Sequence, residues 1–376
     1  MIYLDYQATT PPAPEVAKAM EPWIEERFAN PHSPSRWGHE AAAAVDVARK
    51  QVEKAIGLKG GSVAFTGSAT EALNWALKGT VEKARAGGFS ARNRIITVAT
   101  EHAAVLDTCE WLADQGVDLT ILPVQPNGRL DLELLARELD HRVLLVAVMM
   151  VNNEIGVTQP ISEISDMAHK AGALMLCDAV QALGRLEISN GPDLVAVSAH
   201  KIHGPKAIGA LWMKAGKEPS PFIHGGGQEL GIRSGTLSPA LCVGFGAAAK
   251  LADERCTRDY DHVQKLWKAA VHALGAGWTI NGCTECRYHG NLNARREGVD
   301  AARLIADLRD IAFSLGSACA SGSGRPSHVL RALGLNYRAA RSSIRLGFGR
   351  YTTQQELVDA CHRLAKAAVA QEKLDA

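Results

Sequence analysis

The run Val143-Leu144-Leu145-Val146-Ala147-Val148-Met149-Met150-Val151 passes directly into Asn152-Asn153-Glu154. Nine apolar residues are far too few to span a bilayer, which takes about 20 in a helix. Their aliphatic, β-branched character and the lack of alternation predict a strand covered on both faces. Working outward, Val63 to Thr66, Ile95 to Ala99, Leu119 to Val124, Leu174 to Cys177 and Leu194 to Ser198 also read as buried strands. Helical patterns lie between them, at Glu71 to Lys78, Ala104 to Gln115, Leu132 to Leu139 and Ile161 to Ala171. Such alternation predicts an α/β fold with a mostly parallel sheet and helices on both faces.

Other segments frame this unit. Glu40 to Ile56 is Ala-rich with helical spacing, and Gly57 offers a stop. Gly225-Gly226-Gly227 marks a loop after the sheet. A second region starts near Arg255, with helical runs at Leu266 to Leu274, Ala301 to Leu308 and Gln354 to Ala367 and a strand at Ile344 to Phe348. It reads as a smaller α+β domain.

The 376 residues suit roughly two domains of about 150 each. Hydrophobic content of 47%, charged content of 22% and a net charge of +1 describe an ordinary globular chain with no field to gather nucleic acid or an acidic membrane. The N-terminal Met1-Ile2-Tyr3-Leu4-Asp5 lacks the basic-then-apolar pattern of a signal peptide, so a cytoplasmic location is expected. The eight cysteines are scattered, which favours reduced thiols over a disulfide framework. Cys283 and Cys286 form a lone C-x-x-C with only His289 close by, so two ordinary thiols are expected there rather than a zinc site.

In sheets of this type ligands gather at the carboxyl ends of the strands. Polar clusters fall at five such ends: Thr66 to Glu71, Thr100-Glu101-His102, Asn152 to Glu154, Asp178 with Gln181, and Ser198-Ala199-His200-Lys201. Gly67 to Glu71 would open a helix and offer unpaired N–H groups to an anion; considered alone, it reads first as a simple cap. Lys201, directly after an apolar strand, suits an amine desolvated enough to form a Schiff base. Asp178 at a buried strand end needs a cationic partner or hydrogen bonds, and a protonated pyridine nitrogen is one such partner. His102 titrates near neutrality and can shuttle protons. Arg345 can grip a carboxylate through two parallel hydrogen bonds. Cys319 lies among Gly, Ser and Ala in Ser314 to Gly324. That composition predicts a mobile loop; the thiol there is either a free one without a role or one that attacks a substrate and delivers cargo elsewhere, a task that mobility would help.

These runs together resemble the cysteine desulfurases of the class V aminotransferase superfamily, nearly end to end. The resemblance is carried by Tyr3 to Thr10, Asn30-Pro31-His32-Ser33, Ala69-Thr70-Glu71, Thr100-Glu101-His102, Val151 to Gly156, the lysine run, His224 to Glu229, Arg233-Ser234-Gly235-Thr236 and Gly316-Ser317-Ala318-Cys319. The extended cysteine segment resembles the branch that includes the nitrogen-fixation and housekeeping iron–sulfur enzymes.

The resemblance implies the type I fold of pyridoxal-phosphate-dependent transferases. Its large domain would span 16–255, and 1–15 with 256–376 would form a small domain carrying Cys319. It implies pyridoxal 5′-phosphate as cofactor, bound to Lys201, with Asp178 on the pyridine nitrogen, Gln181 at the ring hydroxyl and His102 stacked on the ring. Thr70, Ser198 and His200 would hold the phosphate, with Ala69 beside them. Thr236 would reach the phosphate of the neighbouring subunit's cofactor, which implies a homodimer. Asn153 and Arg345 would bind L-cysteine, Arg345 taking its carboxylate. Cys319 would be the nucleophile that leaves with a persulfide, destined for an iron–sulfur scaffold protein or another sulfur acceptor. No intrinsic metal is implied, although Cys319 would be able to touch an iron–sulfur centre in passing. The competing readings are a selenocysteine lyase or other class V enzyme, and a non-catalytic scaffold or sulfur carrier.

Some residues depart from the family pattern. His203 stands where this branch usually has tyrosine, Ala207 where glycine is common, and Gly67-Ser68 reverses the usual order. The tail after Leu364 is short, which leaves scaffold docking open and a nitrogen-fixation-type role available.

Overall fold

The computed structural model describes residues 1–88, 91–315 and 327–374. Cys319 and the segment around it lie outside the described residues.

The main sheet has seven strands: β1 (Gly61–Thr66), β2 (Arg94–Val98), β3 (Asp118–Leu122), β4 (Val143–Met149), β5 (Leu174–Asp178), β6 (Leu194–Ser198) and β7 (Gly209–Lys214). Their order is β1-β7-β6-β5-β4-β2-β3. The pairs from β6 across to β3 are parallel, while β7 runs antiparallel to both β6 and β1. In β4 every residue is buried, and its side chains divide between two cores. Leu145 and Ala147 join the cluster with Trp75, Leu77 and Leu112 from α3 (Ala69–Ala86) and α4 (Ala103–Asp114). Val146 and Val148 face the larger cluster, with Val52 and Phe245. A strand packed on both sides cannot alternate in polarity, which is why this run is uniformly apolar.

Three readings need correction. The run expected as a buried strand at Leu119 to Val124 forms β3 at the sheet edge, where Ile121 is 39% exposed; an edge strand has one neighbour and thinner cover. The strand from Val143 stops at Met149, and Val151 instead makes an isolated bridge with Thr158. The helix expected at Leu266 is the last part of one much longer helix, Pro239–Leu274, begun by Ser238 capping Leu241 and by Pro239 in its first turn. The reversed strand β7 and the helix Pro14–Glu25 were not read from the sequence at all.

A second, antiparallel sheet orders Ser314–Leu315, Ser343–Gly347, Asn291–Arg295 and Thr279–Ile280. The N-terminal Ile2–Tyr3 pairs with Ile311–Ala312, and Leu4 N–H donates to Ala312 O at 2.7 Å. This stitching brings Asp5 to Ala8 and Arg345 to the carboxyl ends of the main strands.

Candidate active site

A cavity of about 620 Å³ opens where β1, β4, β5 and β6 end. Its lining includes Ala69, Thr70, His102, Asn153, Asp178, Gln181, Ser198, His200, Lys201 and Arg345. The structure therefore brings ten of the sequence-predicted residues to one hollow. Thr236 does not line it; it is exposed on the loop before Pro239–Leu274. Cys319 is outside the described residues.

On one side, Ser68 sits in extended conformation and its Oγ accepts the N–H of Glu71. Glu71 reaches back to the N–H of Gly67 at 2.7 Å and is held by Arg233. The reversed Gly67-Ser68 order thus places serine where the helix needs its cap. Among the described residues the N–H groups of Ala69 and Thr70 have no acceptor, and they open α3 into the cavity. An anion is favoured there by free donors and by the helix dipole. Gly209 of β7 lies directly beneath: a Cβ on it would stand 2.5 Å from Ser68 C and 2.6 Å from Ala69 N.

On the other side, Asp178 ends β5 and is buried. Its Oδ1 accepts the Val180 N–H at 2.9 Å, and no cation forms an ion pair with it among the described residues. Burial raises its pKa, while that hydrogen bond and the more distant His102 and Lys201 pull it down. Lys201 Nζ donates to the carbonyls of Gln7 and Ala8 at 2.6 and 2.7 Å. His102 caps α4, with Nδ1 accepting from Ala104 N–H at 3.0 Å. Gln181 donates through Nε2 to Gln7 O and accepts Arg185 through Oε1. Burial, then Lys201, Lys206 and Arg185, push His200 down to about 4, so its imidazole is neutral near pH 7.

Arg345 is 1% exposed. Its Nη2 donates to Asp5 Oδ1 at 2.7 Å and its Nη1 to Asn153 O at 3.1 Å, while Nε is buried without a partner among the described residues. The remaining polar residues of the predicted clusters brace the rim. Asn152 Oδ1 accepts the N–H groups of Glu154 and Ile155, and its Nδ2 donates to Thr100 O. Glu101 Oε1 accepts Met149 N–H. The sequence reading gave no role to Gln7, Ala8 or Lys206, which also line the hollow. The N-terminal run containing Gln7 and Ala8 was a family signature without an assigned contact.

Fold and cavity together define an α/β enzyme whose ligand site sits at the strand ends. A family model described as aminotransferase class-V matches residues 2–360, and the chain belongs to that family, whose members are generally pyridoxal-phosphate-dependent. The chain is 44% identical over 367 residues to the cysteine desulfurase IscS of Rickettsia bellii (strain OSU 85-389), covering 95% of this chain and 88% of that one. Among solved structures, a NifS-like protein aligns with a TM-score of 0.90 at 31% identity, over 98% of this chain and 99% of that chain. The structure of SspA in complex with cysteine aligns with a TM-score of 0.83 at 31% identity, over 94% and 100% of the two chains. Among the described residues no helix is long and apolar enough to cross a membrane, and no group of three or more His, Cys, Asp or Glu is placed to hold a metal.

Proposed function

We propose that this protein is a cysteine desulfurase. It converts L-cysteine to L-alanine and leaves the sulfur as a persulfide on Cys319, for delivery to iron–sulfur cluster assembly. The observation that carries this reading is the meeting of Lys201, Asp178 and Arg345 in one cavity, in a chain 44% identical to a cysteine desulfurase.

The residues present suit pyridoxal 5′-phosphate. Asp178 is a buried carboxylate with no ion pair among the described residues, and a pyridinium nitrogen calls for such a carboxylate as its partner. The amides of Ala69 and Thr70, without an acceptor among the described residues, suit a phosphate, with Ser198 and neutral His200 alongside. Gln181, Lys201 and His102 complete the set. When bound, this group supplies an electron sink for charge developing at the substrate α-carbon.

The chain's own groups do the rest. Arg345 takes the substrate carboxylate and, with Asn153, orients the amino acid. Lys201 moves a proton at Nζ. His102, its Nδ1 accepting the Ala104 N–H, serves proton exchange beside the substrate. The Cys319 thiolate attacks the substrate sulfur: a sulfur–sulfur bond forms, the substrate carbon–sulfur bond breaks, and a proton added at carbon completes alanine. L-cysteine and the Cys319 thiol thus become L-alanine and the Cys319 persulfide.

We assign the protein to the cytoplasm as a homodimer in which Thr236 of each subunit serves the other's phosphate site. The large unit is taken as 16–255, with 1–15 and 256–376 forming the unit that bears Cys319.

Intact-mass spectrometry after exposure to L-cysteine tests the proposal. A gain of one sulfur atom, removed by reductant, mapped to Cys319 and accompanied by alanine, is expected. Protein loaded with cofactor should absorb near about 420 nm. No alanine and no added sulfur would overturn the reading. Cys319→Ser should lose cysteine turnover; if it keeps selenium release from selenocysteine and the unsubstituted protein gains no sulfur on Cys319, selenocysteine lyase chemistry takes its place.

A further inference from the structure

We propose that Cys283 and Cys286 form a second thiol site, a dithiol that low-molecular-weight disulfides oxidise to an intramolecular disulfide, with Cys283 as the attacking sulfur. The site is separate from the cavity and draws on elements the desulfurase reading does not use.

The geometry comes from three pieces of chain. Cys283 is tied to the turn before Leu130, its N–H donating to Asn127 O at 2.7 Å. Its sulfur accepts the N–H of Cys286 at 3.2 Å. From the same turn, Arg129 Nη1 reaches Cys286 Sγ at 3.0 Å. Arg287 lies behind, its guanidinium buried and donating to Ile155 O and Asn291 O at 2.7 Å each. Both thiols are half-buried, so a small disulfide has access.

The consequence for reactivity is specific. Burial raises the Cys283 thiol, but the backbone donors from Cys286 and Glu285 and the Cys286 thiol outweigh it, leaving Cys283 below the ordinary thiol value; the Glu285 charge acts upward. Buried Cys109, Cys242 and Cys361 are instead pushed up to about 12, and Cys177 well above its ordinary value. Thiolate, not thiol, is the nucleophile in disulfide exchange. His289, the third residue a zinc site would need, spends Nε2 on Thr284 O at 3.3 Å.

The chemistry balances in two steps. The Cys283 thiolate attacks a disulfide RSSR, giving a mixed disulfide on Cys283 and releasing RS⁻. Cys286 then attacks the Cys283 sulfur, forming the internal bond and expelling the second RS⁻, which takes the Cys286 proton. Arg129 steadies the Cys286 thiolate as it forms. The dithiol loses two electrons and RSSR gains them.

The test uses the full chain, reduced and desalted, with oxidised glutathione at pH 7. Samples are quenched in acid, alkylated with N-ethylmaleimide, digested and weighed. The peptide carrying Cys283 and Cys286 should emerge unalkylated and lighter by two hydrogen atoms, while exposed Cys256 still reacts with the maleimide. Cys286→Ser should stop at a glutathione adduct on Cys283, formed about tenfold faster than on Cys256. The proposal falls if both cysteines remain alkylated when Cys256 has already been glutathionylated. It also falls if a mixed disulfide persists in the unsubstituted protein.

Discussion

Arg345 and Asp5 stand 2.7 Å apart, Nη2 to Oδ1, with Arg345 1% exposed and its Nε hydrogen lacking an acceptor among the described residues. The pair is a resting state for a residue proposed to bind a carboxylate. Asp5 keeps the buried charge compensated, and the unsatisfied Nε leaves one donor for an incoming oxygen. A planar fork can share itself between two carboxylates, which an ammonium does poorly. Arg345→Lys should therefore raise KM for L-cysteine about 10- to 100-fold, the loss of about 1.4–2.7 kcal/mol of binding, with kcat changed far less. Steady-state alanine release measures both. An unchanged KM would remove Arg345 from the substrate site.

Gly209 and the start of α3 make a second close approach. A methyl group on Gly209 would press on backbone atoms of Ser68 and Ala69 at 2.5 and 2.6 Å, and backbone cannot swing aside as a flexible side chain can. Gly209→Ala should shift the amides of Ala69 and Thr70 and weaken cofactor retention about tenfold or more, while circular dichroism stays near that of the unsubstituted protein. Dialysis followed by absorbance of the bound cofactor reports the loss. The contact explains why a glycine opens a strand whose next four residues are buried and apolar.

The main strands were legible because burial on both faces leaves a run without alternation, and Val143 to Met149 is such a run in sequence and in space. The site was legible because polar residues clustered where those runs stopped. What the sequence hid is of another kind. β7 is reversed, and nothing in Gly209 to Lys214 states a direction. Asp5 and Arg345 are 340 residues apart, and their pairing depends on Ile2–Tyr3 joining Ile311–Ala312. The holding of Lys201 by the carbonyls of Gln7 and Ala8 is invisible to side-chain patterns, because backbone atoms do the work.

Ala207 has φ of 63°, in the left-handed region, and lines the cavity beside Lys206. The Cβ costs about 1–2 kcal/mol in that conformation. Glycine removes the strain but frees the unfolded chain, an opposing term of about 0.4–1 kcal/mol. Ala207→Gly should thus stabilise the protein by up to about 1.6 kcal/mol, seen as a higher urea midpoint at unchanged slope. A lower midpoint would mean that the alanine methyl makes a contact worth more than its strain.

Glu101 is 1% exposed, with Oε1 on Met149 N–H at 2.7 Å and Oε2 buried without a partner among the described residues. Burial raises its pKa well above the ordinary 4.5, and the neighbouring Asp178 adds to the rise against the pull of the Met149 bond. A carboxyl whose folded pKa exceeds its unfolded one supports the fold below the unfolded value. That support is lost as pH climbs from about 4.5 through the folded value, because the unfolded chain releases a proton the folded chain retains. Asp178, and Glu154, which burial raises to about 7, act with the same sign. Glu101→Gln keeps an oxygen for Met149 and removes the titration. The cofactor-free variant should lose less stability between pH 5 and pH 8 than the unsubstituted protein, as followed by thermal melts at closely spaced pH values. Parallel curves for the two proteins would show that Glu101 is already ionised in the fold, its charge met by a group other than Met149.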